Sequence, residues 1–186
     1  LVGEQMLRDY ASAYDIRSVT FRYFNAAGAA PELGLGEDHR PETHIIPLAI
    51  RAAMDDSEPL QVYGEDYPTP DGTCIRDYIH VKDLVDAHMR GLEYLLDGGS
   101  SDVFNLGTES GASIKDIIER VQSVTNLQVP YEIGPRRPGD PARLIASHQK
   151  AHQVLGWKPE HDLDSIVTSA WDWFSRHPSG YDEIEP

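Results

Sequence analysis

The sequence predicts an α/β protein whose strands pair in a parallel sheet. Segments rich in β-branched and aromatic residues, such as 18–24, are followed by segments whose apolar side chains recur at helical spacing. The run 102–107 is short and apolar and ends in a glycine, which is typical of a buried strand in a parallel sheet. At 186 residues the chain can bury a sizeable core, as one domain or a small pair.

The same patterns predict the order of the elements. Strands are expected at 18–24, 60–63, 74–81, 102–107 and 129–133, with a loop of small residues at 25–31. Helices are expected at about 1–14, at 45–54 with Pro47 in the first turn, from 81 onward, after Ser113, at 147–155 and at 163–176. The tail 182–185 is acidic and is expected to be loose.

Apolar stripes indicate which helix faces are buried. Ser113, followed three residues later by Asp116, predicts a capping box at the start of the fourth helix. The stripe of that helix is expected to be core: Ile114, Ile117, Ile118, Val121 and Val124. The third helix carries Leu84, Val85, His88, Leu92, Leu95 and Leu96 at helical spacing, and the last helix is expected to bury Ile166, Val167, Ala170, Trp173 and Phe174.

Composition excludes several classes of partner. With 16 Lys and Arg against 31 Asp and Glu, the net charge of −15 disfavours nucleic acid and anionic membranes as partners, because both would be repelled. No apolar run approaches the length of a membrane span. Cys74 is the single cysteine, so no internal disulfide can form, and a reducing cytoplasm is the expected location.

The start of the sequence indicates a longer protein. Leu1 is not a methionine, and no signal-peptide pattern follows it. Apolar residues recur at helical spacing from Leu1 onward without a capping residue before them. The chain is therefore expected to begin inside a helix and to be a fragment.

Several polar residues lie close together where a predicted strand is followed directly by a predicted helix. The segment 67–72 is a turn, since its two prolines fix φ and Asp-Gly supplies a residue free to take a positive φ. Arg76, Asp77, Tyr78 and His80 then follow in a segment that is otherwise fit to be buried, so they need partners. A phosphate is one candidate. A proline turn before an ordinary strand would explain the backbone but not Arg76 and Asp77.

The loop 134–141 carries the other positive charges of interest. Arg136 and Arg137 are adjacent and are framed by prolines and glycines, which makes them the one compact basic patch of an acidic sequence. Guanidinium groups match phosphate oxygens and keep their charge at any relevant pH. The loop suits a diphosphate, although a solvated basic turn is the plainer alternative.

These motifs resemble a known family. Tyr-Pro-Thr-Pro-Asp-Gly-Thr-Cys-Ile-Arg-Asp-Tyr-Ile-His-Val-Lys-Asp-Leu at 67–84 resembles the signature of UDP-glucose 4-epimerases, which are extended short-chain dehydrogenase/reductases. Arg-Arg-x-Gly-Asp at 136–140 and Leu-Gly-Trp-Lys-Pro at 155–159 are similar to later motifs of the same family. The resemblance extends over nearly the whole chain.

The resemblance implies roles for particular residues. Tyr23 and Asn25 would lie beside NAD, and Asn25 would also meet the sugar. The nucleotide-sugar would be contacted by His44, Ile45, Gln61, Tyr63, Arg76, Arg137, Asp140 and Leu144. In this assignment Arg76 and Arg137 hold the diphosphate, Asp140 the ribose hydroxyls, Tyr63 stacks on uracil and Leu144 limits the size of the sugar, while Arg136 is structural. His44 could instead be a solvated cap residue, and Tyr63 ordinary core packing.

The fold and activity implied by the resemblance are those of part of an enzyme. The chain would form the carboxyl-terminal part of a Rossmann-like doubly wound sheet, from 1–30 and 82–112, and a smaller α/β domain for the UDP-sugar, from 31–81 and 113–186. Such an enzyme interconverts UDP-galactose and UDP-glucose through a 4-keto sugar with bound NAD, and the intact protein would be a homodimer. A related nucleotide-sugar epimerase or dehydratase, or a non-catalytic nucleotide-binding module, are the alternatives.

The catalytic pair of the family is expected outside the chain. A Tyr removes the proton of the sugar 4-hydroxyl in that family, and its partner Lys would directly precede Leu1, so no catalytic residue is expected within the sequence. The phosphate-binding Gly-x-Gly-x-x-Gly is also absent. No metal is expected either, because His148 and His152 lack the Glu of a zinc protease helix and Cys74 has no second thiol.

Overall fold

The computed structural model describes residues 2–55 and 57–183 and has the predicted α/β architecture. Its helices are α1 Val2–Tyr14, α2 Ile45–Met54, α3 Val81–Leu96, α4 Ile114–Thr125, α5 Gln149–Leu155 and α6 Leu163–Arg176, with 3₁₀ turns at Pro31–Leu33 and Gly180–Glu183. Its strands are β1 Val19–Tyr23, β2 Asn25–Ala27, β3 Leu60–Tyr63, β4 Ile75–Arg76, β5 Tyr78–His80, β6 Asp102–Leu106, β7 Ala112–Ser113, β8 Tyr131–Gly134 and β9 Arg143–Leu144. Residues 184 and 185 of the expected acidic tail lie outside the described residues.

Parallel pairing dominates, as the sequence predicts. Strand β1 pairs with β6, β2 with β5, and β3 with β8, all in parallel. Strand β4 pairs with β9 in parallel and with β7 in antiparallel orientation. Parallel pairs bring strand ends from distant parts of the sequence to the same edge, which is where α/β proteins bind ligands.

Two predicted strands are divided in the structure. The strand expected at 18–24 ends at Tyr23, and the loop expected at 25–31 begins with β2 instead. The strand expected at 74–81 is interrupted at Asp77, where the chain leaves β9 and β7 and joins β2. Asp77 accepts a hydrogen bond from the Asn25 amide and donates one to the Leu144 carbonyl. Both divisions follow from this change of pairing partner, which local periodicity does not contain.

The larger core lies between α2, α4 and α6 and one face of β3. The capping box of Ser113 and Asp116 is present, and Ile117, Ile118 and Val121 are buried as predicted. Ile114 and Val124 pack at the margin of this core, partly buried. All five residues predicted for the buried face of the last helix are buried: Ile166, Val167, Ala170, Trp173 and Phe174.

A smaller core surrounds Trp157, which is fully buried against β6, α3 and α5. Its indole nitrogen donates a hydrogen bond to the Asp83 carbonyl at 2.9 Å, so the polar edge of the ring is satisfied. Gly156 before it takes a left-handed conformation with φ of 65° and ends α5. The motif at 155–159 thus positions one large side chain under the strand β6.

Helices α1 and α3 expose apolar surface. No residue of α1 is buried, and Met6, Tyr10 and Tyr14 are among its exposed side chains. In α3 the buried apolar face is narrower than the predicted stripe. It consists of Leu84 and the small residues Ala87 and Gly91. Other members of the stripe are exposed: Val85, Leu92 and Leu96. Contiguous exposed apolar surface of this kind is typical of an interface.

His80 couples folding stability to pH at the start of α3. Its ring is buried, and its Nδ1 accepts a hydrogen bond from the Lys82 amide at 3.1 Å, which caps the helix. Burial, followed by the proximity of His161, lowers the pKa of His80 from 6.5 to about 4. The unfolded chain therefore binds more protons than the folded chain between these values. The stabilising contribution of His80 is complete above pH 6.5 and is lost as the pH falls toward 4.

We expect His80→Asn to flatten this pH dependence. Asparagine keeps an oxygen that can accept the Lys82 amide bond, but it does not titrate. Between pH 6.5 and 4.5 the free energy of unfolding of the wild type should fall by up to about 1.4 kcal/mol per pH unit more than that of the variant. Urea unfolding at several pH values measures the difference. If the free energies of unfolding of the two proteins changed with pH in the same way, His80 would not be the source of the pH dependence.

Candidate functional site

Two adjoining cavities open at the amino-terminal end of α2. The larger cavity, of about 820 Å³, reaches along β3 and the carboxyl-terminal end of α6. The smaller cavity, of about 200 Å³, lies against β2 and β5. Six residues line both: Thr43, Ile45, Cys74, Ile114, Arg137 and Asp140. The larger cavity has the size of a small-molecule site.

Most of the residues predicted to bind ligand surround these cavities. Asn25, His44 and Arg76 line the smaller cavity, Gln61 and Tyr63 line the larger, and Ile45, Arg137 and Asp140 line both. Tyr23 and Leu144 line neither, although Tyr23 ends β1 two residues before Asn25 and Leu144 pairs with Arg76 in the sheet. Residues from five separate segments of the sequence therefore meet at one place.

Arg76 and Asp140 form an ion pair across 64 residues of sequence. Arg76 is mostly buried and also donates a hydrogen bond to the Ile75 carbonyl at 2.8 Å. The backbone amide of Asp140 donates a hydrogen bond to the Arg137 carbonyl at 3.2 Å, within the same loop. The pair fixes the basic loop to β4, so that a guanidinium and a carboxylate face the same cavity.

The two adjacent arginines of the loop point to different partners. The Arg137 guanidinium lies 3.9 Å above the ring centre of Tyr63, at the wall of the larger cavity. The Arg136 guanidinium lies 4.2 Å above the ring of Tyr67 and donates a hydrogen bond to Asp66 at 2.6 Å. Arg136 thus fastens the loop to the proline turn, which is the geometry of a structural residue, whereas Arg137 remains at the cavity.

Strand β3 presents alternate residues to the larger cavity. Leu60 and Val62 are buried in the core, while Gln61 and Tyr63 face outward. Gln61 donates a hydrogen bond to Glu132 at 3.1 Å. One face of the Tyr63 ring is covered by Arg137, so a base that stacks on Tyr63 would use the other face or displace the guanidinium. The strand pattern argues against Tyr63 as an ordinary core residue, since its side chain is partly exposed.

The entrance of α2 carries His44 in the N-cap position. Its side chain makes no capping hydrogen bond; instead Nδ1 lies 2.5 Å from Glu37 and 3.2 Å from Glu42. Burial, with the Glu42 carboxylate as the next cause, raises the pKa of Glu37. His44 is therefore engaged with carboxylates and does not act as a solvated cap.

Asn25 joins the smaller cavity to the buried Asp77. Its side-chain amide donates a hydrogen bond to the Asp77 carbonyl at 2.9 Å. The Asp77 carboxylate accepts bonds from the Thr108 amide and hydroxyl and from the Ala146 amide. Gly107 is needed beside it, because a Cβ there would lie 2.6 Å from Asp77 Oδ2. The buried Asp77 carboxylate, which was expected to need partners, therefore receives its hydrogen bonds from backbone amides and a hydroxyl group of two other loops.

Sequence analysis missed Cys74 as a cavity residue. Its buried side chain lines both cavities, and burial raises the pKa of the thiol, which keeps it protonated and unreactive. The signal was its position inside the signature, next to Ile75 and Arg76. It contributes shape to the site and no nucleophile.

One pair with the spacing Tyr-x-x-x-Lys does occur within the chain, at Tyr78 and Lys82. Tyr78 lies in β5 and Lys82 in the first turn of α3, so the two do not share a helix face. Burial raises the pKa of the Tyr78 phenol above its usual value, and the Lys82 ammonium pairs with Glu32 at 2.6 Å. A phenol that holds its proton this firmly is a poor general base.

The fold defines an α/β protein of the Rossmann-like class, and comparison with known proteins identifies its family. The chain belongs to the NAD dependent epimerase/dehydratase family, whose profile matches residues 1–107. It is 52% identical over 181 residues to the UDP-glucose 4-epimerase of Rhizobium meliloti (strain 1021), a match that covers 96% of the chain and 55% of the relative. The chain spans about half the length of the curated relatives it matches.

Solved structures give the same result. A crystal structure of a UDP-glucose 4-epimerase superposes with a TM-score of 0.92 at 52% identity, over 97% of this chain and 55% of that one. The enzyme from Bifidobacterium longum in complex with NAD⁺ and UDP superposes with a TM-score of 0.88 at 40% identity, over 95% and 53% of the two chains. The resemblance to UDP-glucose 4-epimerases and the expected fold class are confirmed. None of the described helices has both the length and the apolar character needed to span a membrane.

Proposed function

We propose that this chain is the substrate-binding part of an enzyme that interconverts UDP-galactose and UDP-glucose. The observation that carries the proposal is the meeting of Arg76, Arg137 and Asp140 at the smaller cavity, which adjoins the larger cavity lined by Tyr63, in a chain whose net charge is −15. Two arginines lie at one site although the chain as a whole is strongly acidic. A diphosphate ligand would explain this local positive charge. The bound UDP of the Bifidobacterium longum relative supports this ligand class.

In this arrangement the nucleotide is bound by strong contacts and the sugar by weak ones. Arg76 and Arg137 bind the diphosphate, Asp140 accepts hydrogen bonds from the ribose hydroxyls, and Tyr63 with Gln61 contacts the base. The hexose lies toward Asn25, His44 and Ile45. A sugar that must turn over during the reaction needs weak contacts, so binding energy belongs at the nucleotide.

NAD would supply the hydride acceptor and donor for the sugar C4. From this chain Tyr23 and Asn25 would contact it, and their positions fit. Tyr23 is exposed at the carboxyl end of β1, and Asn25 is held in place by its bond to Asp77. The absence of Gly-x-Gly-x-x-Gly from the sequence leaves the phosphates of NAD to other residues of the enzyme.

Assembly and domain organisation complete the proposal. The nucleotide-sugar domain comprises 31–81 and 113–186, and 1–30 with 82–112 belong to the NAD domain. The two buried clusters follow this division only in part, because residues from both units occur in each cluster: Ala27, Ala29 and Ala112 in the larger, and Ile79, Ala151 and Trp157 in the smaller. The exposed apolar faces of α1 and α3 support a homodimer. The free Cys74 thiol supports a reducing cytoplasm.

We expect Arg137→Ala and Arg76→Ala each to weaken UDP binding by about 1.5–3 kcal/mol, which is the value of a hydrogen bond to a charged group. This corresponds to roughly 10- to 150-fold in dissociation constant. Titration calorimetry of the complete enzyme with UDP measures the effect. Arg136→Ala is the matched control, because Arg136 faces Asp66 and Tyr67. Unchanged UDP affinity in both test variants, or an equal loss in the control, would contradict the assignment.

We expect Leu144 to limit the size of the sugar. It is 43% exposed and its backbone pairs with Arg76, so a larger side chain can be accommodated without disturbing the core. Leu144→Tyr should suppress turnover of N-acetylated UDP-sugars while sparing UDP-galactose. The ratio of kcat/KM for the two substrates is the measurement. Equal losses on both would assign Leu144 to packing.

A further inference from the structure

A second cluster of ligating side chains lies in the loop before α2. Glu37, His39, Glu42 and His44 each offer one ligand atom, and these four atoms lie within 4.8 Å of one another. The loop contains no helix or strand. Its chain turns back on itself, which brings Glu37 close to His44. Sequence analysis passed over it because only the spacing His-x-x-Glu-x-His, at 39–44, signals it.

Glu42 is the unusual member of the cluster. Its side chain is 1% exposed, yet Oε2 is buried without a hydrogen-bond partner. Its other oxygen accepts bonds from the Thr43 and His44 amides at 2.7 and 2.8 Å and lies 3.6 Å from His39 Nδ1. A buried carboxylate oxygen without a partner costs several kcal/mol unless a cation or donor completes it. Its orphaned state indicates a missing positive ligand.

The donor set selects the class of cation. Two imidazole nitrogens and two carboxylate oxygens suit a divalent transition metal, and zinc accepts such sets in tetrahedral geometry. Bond lengths of about 2.0–2.1 Å place tetrahedral ligands roughly 3.3 Å apart. His44 and Glu37 already lie closer than this, and all four ligand atoms lie within 4.8 Å of one another.

We propose that Glu37, His39, Glu42 and His44 bind one divalent transition-metal ion, Zn²⁺ being the best fit. The two carboxylates and two neutral imidazoles give a neutral site with a divalent cation, and Glu42 Oε1, which lies 3.6 Å from His39 Nδ1 and 3.2 Å from His44 Nδ1, is the carboxylate oxygen nearest both imidazoles. His39 and His44 are about half exposed, which gives the ion a path from solvent. The site contains none of the residues assigned to the diphosphate, although it shares His44 with those that face the proposed hexose position.

The position of the metal gives it a structural role. Glu37 and His44 also line the smaller cavity, and Glu42 and Thr43 line the larger. A metal that holds both ends of the segment 37–44 would fix the loop that forms one wall of the two cavities. It would act on the ligand site by positioning this wall and not as a reagent.

Metal binding to the complete protein tests the proposal. The protein is stripped with a chelator, and Zn²⁺ affinity is measured by competition with a chromogenic chelator, alongside the visible spectrum of the Co²⁺ form. We expect one Zn²⁺ per chain and the intense visible bands of tetrahedral Co²⁺. His39→Ala and Glu42→Gln should each weaken Zn²⁺ binding by about 10- to 100-fold or more. His152→Ala, an exposed histidine outside the loop, is the matched control.

Each outcome decides the matter. No Zn²⁺ bound, or binding that survives in both loop variants, overturns the site and leaves a set of hydrogen-bonded side chains. Octahedral Co²⁺ spectra in the wild type overturn the four-ligand geometry. Because a variant can lose its fold, the wild-type Co²⁺ spectrum and circular dichroism of each variant are recorded. UDP affinity is measured separately, so failure of the nucleotide proposal is recognised independently of the metal.

Discussion

A polypeptide limited to these 186 residues is expected to convert no UDP-galactose, even when NAD is added. The reaction needs a hydride acceptor and a base within hydrogen-bond reach of the sugar 4-hydroxyl. The sequence has no Gly-x-Gly-x-x-Gly to hold the phosphates of NAD. Of the two tyrosines at the cavities, Tyr78 keeps its proton because burial raises its pKa, and Tyr63 has a guanidinium on its ring.

The assay compares this polypeptide with the complete enzyme at equal concentration, with UDP-galactose and NAD. The complete enzyme is expected to convert UDP-galactose, and the polypeptide should remain at the background rate while still binding UDP weakly. Turnover by the polypeptide would assign the base to a residue within it. Tyr78→Phe then becomes the decisive variant, since Tyr78 and Lys82 have the spacing of the family's pair.

Local patterns predicted α4 and α6 well because each of these two helices buries a continuous face. In α4 the capping box and the apolar residues at helical spacing are properties of adjacent residues, and the structure contains both. In α6 the same reasoning identified Trp173 and Phe174 as core. It failed in part for α3, where small residues, Ala87 and Gly91, form the buried face and larger apolar residues remain exposed. Periodicity records which residues are apolar, but burial depends on what packs against them.

Long-range pairing was beyond local patterns. The break at Asp77 arises because β4 pairs with β9 and β5 pairs with β2, strands that lie far away in the sequence. The resemblance supplied the residues of the site, but it did not supply their contacts with one another. The ion pair of Arg76 with Asp140 and the contact of Arg137 with Tyr63 depend on how the loop 134–141 folds over β3 and β4.

The loop 37–44 shows the same limit most clearly. The segment 33–43, which contains most of this loop, is polar and glycine-rich, and that character predicts only irregular structure. The cluster forms because the turn brings Glu37 back to His44, seven residues later in the chain. No periodicity encodes that approach, so metal ligands in such a loop become visible only when its conformation is known.

Asp77→Ala is expected to destabilise the protein by about 3 kcal/mol or more, because several donors would lose a charged acceptor in a buried place. Asp77 is 1% exposed and joins three segments. Oδ1 accepts from the Thr108 hydroxyl and from its amide at 3.0 Å, and Oδ2 accepts from the Ala146 amide at 3.1 Å. Truncation leaves the two amides without partners and also a cavity beside Gly107.

Urea or thermal unfolding of the complete enzyme measures the loss, and a decrease in Tm on the order of 10 °C is expected. Asp86→Ala makes the same chemical change at an exposed position, where Asp86 pairs with Arg90 at 2.7 Å in the next turn of α3. It should cost less than about 1 kcal/mol. The loss of stability in Asp77→Asn should lie between the losses in Asp77→Ala and Asp86→Ala. The asparagine amide keeps one acceptor oxygen, but its NH₂ group faces hydrogen-bond donors of the protein. Equal stability of the Asp77→Ala and Asp86→Ala variants would show that the Asp77 bonds do not hold the loops to the strand.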